Sequence, residues 1–189
     1  MKNLILATLL LSATALPVQA ADYVIDTEKA HAFIEFKISH LGYSFVLGRF
    51  NKFTGDFTYD EKNPSASKVT VNIDPASIDS AHAERDKHLR GKDFFEVEKY
   101  TTAKFVSTSY TESANGKAVL KGDLTLHGIT KNIAIDVQAV GHGDDPWGGY
   151  RRGFTGTTTL TLANFGINYN LGPAAKTVDM TLVVEGIKK

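Results

Sequence analysis

Residues 82–95, HAERDKHLRGKDFF, concentrate histidines, carboxylates and basic side chains in the one stretch of the chain that reads as a helix. Three chemistries can be weighed there. Metal binding is disfavoured: His82 and His88 stand six residues apart, about 240° around a helix, whereas zinc helices place their histidines at i and i+4. His31, His40, His127 and His142 are scattered over other segments, and cysteine is absent, so no metal ligand set is expected. Nucleophilic catalysis has no G-x-S-x-G elbow to work from. Phosphate binding lacks a cradle too, since GHGDDPWGG (141–149) has neither the lysine nor the helix entry of a P-loop. That segment reads as a wide loop with Trp147 as its anchor.

A plainer role accounts for most of the stretch. Asp79 or Ser80 can cap the helix. Glu84 with His88, and Asp86 with Arg90, fall at i and i+4, so surface pairing explains several charges. Leu89, Phe94 and Phe95 supply an apolar stripe that closes one end of whatever the helix sits on. Arg85 and His88 remain to touch the polar head of a ligand. The helix is expected to be a lid or plug, and no catalytic residues are nominated.

What it must cover is set by period-two alternation, the mark of strands with one buried face. Ala32, Ile34, Phe36 and Ile38 share a face, as do Phe53, Gly55, Phe57 and Tyr59, and Val69, Val71 and Ile73. After the helix come a less tidy strand in TTAKFVSTSY (101–110), then Leu120 to Leu126, Ile133 to Ala139, Phe154 to Leu162 and Val178 to Val184, each in steps of two. Turn signals separate the runs at Asn63-Pro64, Asn115-Gly116, Gly128, Asp145-Pro146 and Gly172-Pro173. The outcome is eight antiparallel strands with one helix between the third and fourth. Eight is the count at which a closed barrel can hold one small ligand; a β-sandwich would use the same alternation. Gly55, Gly122 and Gly156 lie in phase with the apolar face, where they remove wall volume and favour a cavity for a greasy guest. Bulges or barrel corners are the competing account of such glycines.

The first twenty residues, MKNLILATLLLSATALPVQA, have the build of a cleavable export signal: Lys2, an apolar run from Leu4 to Leu11, and small residues ending at Ala20. The run is too short to span a bilayer. Residues 21–189 then form a single domain large enough for a sizeable core. No cysteine means no disulfide. The formal net charge is +0 with a pI near 7.0, which argues against nucleic acid as a partner.

HAFIEFKISHLGYSFVLGRF, HAERDKHLRGKDFF, GDLTLHGITK and GDDPWGGYRRGF, together with the leader, resemble the YceI-like family of bacterial periplasmic proteins across essentially the whole mature chain. The resemblance implies an all-β fold, an extended lipocalin-like antiparallel barrel of eight strands, whose pore holds a polyisoprenoid such as a quinone or its polyprenyl precursor. It also implies a homodimer, a periplasmic location, and a non-enzymatic carrier with no cofactor beyond the bound lipid, in contact with membrane lipid donors. A broad scavenger of hydrophobic ligands, or an enzyme acting on the bound lipid, are the alternative functions. Under this reading Phe36, Phe45, Leu47, Phe57, Val71, Phe94, Leu124, Ile135, Phe154 and Met180 are expected to line the pore, with His40, Tyr43, Arg85 and Arg152 at a polar mouth.

Overall fold

The computed structural model describes residues 20–189; the leader read over residues 1–20 lies, apart from Ala20, outside the described residues. Among the described residues, and with short 3-10 turns between some of them, eleven strands and one α-helix follow one another. They are β1 (Ala21–Ile25), β2 (Phe33–His40), β3 (Ser44–Phe50), β4 (Phe53–Tyr59), β5 (Lys68–Ile73), the two-residue β6 (Ile78–Asp79), α1 (Ala83–Arg90), β7 (Ala103–Glu112), β8 (Lys117–Leu126), β9 (Ile129–Asp144), β10 (Tyr150–Thr161) and β11 (Thr177–Lys188).

The sheet closes on itself. β1, β4, β5, β7, β8, β9, β10 and β11 pair in that order, and β11 returns to β1, giving an antiparallel ring of eight, the number that the alternation and the resemblance predict. The ring is closed, however, by β1, which the sequence reading did not mark, and the first expected run, Ala32–Ile38, is β2 beside it. A closed ring leaves no exposed edge along its circumference and excludes two separate layers. The barrel is taller than the eight expected runs, because three walls are composite. β2 continues β1 on the same flank of β11, β3 runs into β4, and β5 is followed by β6. The interruptions at 26–32, 51–52 and 74–77 lie side by side and are stitched together by Asn51 N–H to Ser77 O at 3.1 Å and Asp74 N–H to Lys52 O at 3.0 Å. β6 pairs with β3 but not with β7. Above this seam the gap between them is covered by α1 and the segment after it.

Two hairpins show how local sequence sets the register. Asn115-Gly116 joins β7 to β8 with φ of 63° and 70°, and His127-Gly128 joins β8 to β9 with φ of 51° and 74°. Both central residues in the left-handed region match the right-handed twist of the strands they connect. The lumen side then carries Leu124, Ile135, Leu160, Val178, Ala32 and Phe57 from the predicted runs, together with Phe105, Tyr23, Ile25 and, from the turn after β10, Phe165. Phe105, Leu124, Ile135, Leu160, Phe165 and Val178 form the main buried cluster, and Tyr23, Ile25, Ala32 and Phe57 a second one nearer the strand ends away from α1.

The helix differs from its sequence reading. It is eight residues long, and His82 is its cap, with Nδ1 accepting from Arg85 N–H at 3.2 Å. Asp79 instead accepts from Ala81 N–H. Ser80 turns to Asp86, which is buried and takes both the Ser80 N–H at 2.8 Å and the Ser80 hydroxyl. His88 pairs with Asp93 at 2.9 Å rather than with Glu84. The segment around Trp147 is also tighter than expected. β9 and β10 run to within five residues of each other, Asp145 gathers the Trp147 and Gly149 N–H groups, and Trp147 is exposed on the outside.

Of the inward glycines expected from the sequence, Gly122 lies opposite the irregularity of β7 between Ser107 and Ser109, as the bulge account has it, and Gly55 is covered by Ile25 and the Thr70 carbonyl. A Cβ at Gly48 would fall within the ring of Phe36, one at Gly122 within Phe105, and one at Gly186 within Phe57. Each glycine is roofed by an aromatic ring lying against the wall. Rings that lie flat along the sheet take up little of the lumen, so these pairs keep the barrel hollow while the glycine positions themselves are filled. Gly156 differs: no ring covers it, and a Cβ there would press on Ile135 Cγ2 at 3.0 Å and meet Leu182 at ordinary contact distance.

Candidate functional site

The lumen holds a cavity of about 620 Å³ whose wall is drawn from all eleven strands, from α1 and the segment after it, and from the loop after β10. That size falls in the range of small-molecule sites. Phe36, Val71, Phe94, Leu124, Ile135 and Met180 line it, as the strand alternation predicts. Leu89 and Phe95 join Phe94 in closing the α1 end, so the apolar stripe of the helix segment faces the lumen. A second chamber of about 100 Å³ lies beyond, toward the opposite end, and there Phe57 and Phe154 are found.

Phe45 and Leu47 are not in the wall. They stand 61% and 64% exposed on the outer face of β3, while Val46 and Phe50 point inward. Arg49 follows the parity of Phe45 and Leu47 and faces water, which fixes that face as the outer one.

The polar residues expected at the mouth divide in two. His40 and Arg85 do border the main cavity, at the α1 end. Arg85 is partly buried and already committed: its Nε donates to Ser80 Oγ at 2.8 Å and its Nη2 to Ser80 O at 2.6 Å. Tyr43 is 89% exposed at the tip of the β2–β3 hairpin and borders neither chamber. Arg152 lies at the opposite end, buried, ion-paired with Glu61 and stacked 4.2 Å over the Tyr59 ring. Tyr59 and Tyr110 both donate to Glu112 Oε1, at 2.5 and 3.2 Å. Burial, reinforced by that carboxylate, pushes the Tyr59 hydroxyl up to about 12, so it stays protonated. The far end is thus crossed by neutral and paired polar groups.

The loop after β10 was missed in the sequence. Ile167, Tyr169, Asn170 and Leu171 border the main cavity. Tyr169 packs on Phe94 with centroids 5.0 Å apart, and the His88 ring stands edge-on to both, at 5.0 and 5.2 Å. The signal was the odd-numbered apolar series Phe165, Ile167, Tyr169 and Leu171, an alternation carried on outside any strand. The mouth is therefore framed by His40, Arg85, His88, Tyr169 and Asn170.

One cluster outside the lumen has the composition of a cation site: Asp26, His31 and Glu185 converge. Arg151 already sits among them, with Nη1 2.8 Å from Asp26 Oδ2 and 2.5 Å from Glu185 Oε1, and Nε 2.8 Å from Asp145. Burial alone would raise the Asp26 carboxyl, but hydrogen bonds from Arg151, His31 and the Lys29 N–H outweigh it and hold it below the ordinary carboxylate value. The guanidinium supplies the positive charge, and the cluster reads as an internal clamp.

A closed antiparallel barrel, hollow and apolar within and lidded at one end by a short helix, places the molecule among the eight-stranded closed β-barrels, an architecture with room for a small ligand. Residues 23–186 match the YceI-like domain, and the chain belongs to that family. A UPF0312 protein of Shewanella sp. (strain ANA-3) is 56% identical over 191 residues, covering 100% of both chains. The crystal structure of the Campylobacter jejuni YCEI protein is similar with a TM-score of 0.72 and 28% identity, over 81% of this chain and 91% of that one. A polyisoprenoid binding domain from Saccharophagus degradans shares the fold with a TM-score of 0.65 at 17% identity, over 90% of this chain and 100% of that one.

Proposed function

We propose that this protein binds a long-chain isoprenoid lipid in the barrel and carries it in the periplasm. The observation that carries this reading is the 620 Å³ cavity with a wall almost wholly aliphatic and aromatic. The polyisoprenoid binding domain with the same fold supports the ligand class. Burying one methylene-sized group contributes about 0.8 kcal/mol, so each five-carbon unit offers roughly 3 kcal/mol before ordering costs are met. Apolar contact alone can hold such a guest, and the framed mouth need only orient a head group. In this reading no catalytic step is involved and no cofactor is required. Export by the leader delivers the protein to the periplasm.

The outer strip of Tyr43, Phe45 and Leu47, with Leu41 at the hairpin turn next to the mouth, is the surface assigned to the homodimer and to membrane lipid donors. Organic extraction of protein purified without refolding, followed by mass spectrometry, is expected to release a polyprenyl lipid. A protein that is repeatedly empty, and that takes up no polyprenyl probe, would overturn the proposal. Equal uptake of unrelated greasy ligands would instead favour the broad scavenger.

A further inference from the structure

We infer that the second chamber is a chain-length gauge, receiving the tail end of the guest, and that Gly156 sets its depth. This deepens the isoprenoid-binding reading and rests on it. The two chambers are separated by side chains that face both: Val69, Leu120, Ile135, Leu182 and Val184, from β5, β8, β9 and β11. They make a waist in one lumen. Beyond it the wall is Phe57, Val137, Phe154 and Gly156, with Tyr59 and Tyr110 turning their hydroxyls outward to Glu112. Ser67 Oγ is buried in that wall without a partner. The rest of the lining beyond the waist is dominated by apolar side chains and aromatic rings, and the chamber suits a hydrocarbon end.

Gly156 is the position at which the sequence holds this space open. The glycines at 48, 122 and 186 are each covered by an aromatic ring. At Gly156 a Cβ would meet Ile135 Cγ2 at 3.0 Å and nothing else nearer than 3.5 Å. It lies opposite Val137 on β9 and Leu182 on β11, in regular paired backbone that any residue can adopt. A side chain there enters the small chamber once the Ile135 side chain gives by a few tenths of an ångström, with no change of backbone conformation required. Val137 borders the small chamber and not the large one, so it offers a second route to the same filling.

The test uses delipidated full-length mature protein and a series of all-trans polyprenols of increasing length, with affinities measured for wild type, Gly156→Val and Val137→Phe. Thermal melts confirm that each variant is folded. For wild type, affinity is expected to rise with length and level off once both chambers are filled. Both variants are expected to level off earlier and to bind the longest chains about tenfold or more weakly, with the short members unchanged. Folded variants that keep the wild-type length profile overturn the gauge and leave the binding function standing. Variants that lose short and long chains alike overturn it too, since the chamber would then not be separable. A wild-type protein that binds no member of the series overturns the binding function itself.

Discussion

Arg151 and Arg152 are adjacent in β10 and face opposite sides of it, one gripping Asp26, Asp145 and Glu185, the other buried against Tyr59. Replacing Arg151 by Met leaves Asp26, whose side chain is 2% exposed, as a buried carboxylate held only by His31 and the Lys29 N–H. The expected loss at neutral pH is about 3 kcal/mol in urea melts. Asp26 and Asp145 are both held below the ordinary carboxylate range, Asp145 chiefly by the Gly149 N–H. Lowered carboxylates stabilise the fold fully above the unfolded value, near pH 4, and lose that contribution as pH falls through their folded values. Wild type and variant should therefore converge on acidification below about pH 4, and a gap that persisted there would refute the clamp. The residue scale is also where sequence reading was least secure. Strand parity puts Arg152 inside correctly, yet parity does not say toward which end it points, and so a residue nominated for the mouth lies at the opposite end. Phe45 and Leu47 failed for a different reason: SFVLGRF is apolar on both faces, and Arg49 was the one residue that could have chosen between them.

At the scale of elements, α1 is too short to be stable alone and depends on what holds it. Asp86 ties it to Ser80, and Leu89, Phe94 and Phe95 seat the segment on the lumen. Asp86→Ala strands the buried Ser80 N–H and hydroxyl, at a cost of about 1–3 kcal/mol. Hydrogen exchange should show lost protection over residues 80–90 with the remote β8–β9 hairpin unchanged, and release of bound lipid should quicken. Uniform loss of protection would mean the lid has no separate stability. Most strands were legible because their inward runs obey period two; β7 read as less tidy because its register shifts between Ser107 and Ser109, and the short β1 and the doubly apolar β3 were not read as strands. The lid was legible as apolar stripe and position, but its cap was not, since His82 performs a role more often filled by the Asp and Ser that lie just before it. The mouth loop at 166–172 escaped because its alternation is carried on backbone that pairs with nothing.

For the whole molecule, barrel closure could not be read from periodicity, which reports a buried face and is silent on what lies opposite it. The resemblance supplied closure, and the pairing of β11 with β1 realises it. A hollow core also makes stability depend on cargo. A polyprenyl probe present at about 100 times its dissociation constant should add about 2.7 kcal/mol, or roughly 5–10 °C in melting temperature for a chain of this size. A melting temperature indifferent to saturating probe would show that the guest sits elsewhere. The missing pairing between β6 and β7 has one last implication. The far half is a continuous hoop, whereas the half near the helix is a split collar, closed by side-chain packing and by hydrogen bonds of Arg85, Asp86 and Arg90 to Ser80 and Ile78. Such a collar can be prised apart without severing any rung of the ladder, so under the proposed binding function it is where a head group broader than the bore would pass while the hoop keeps its shape.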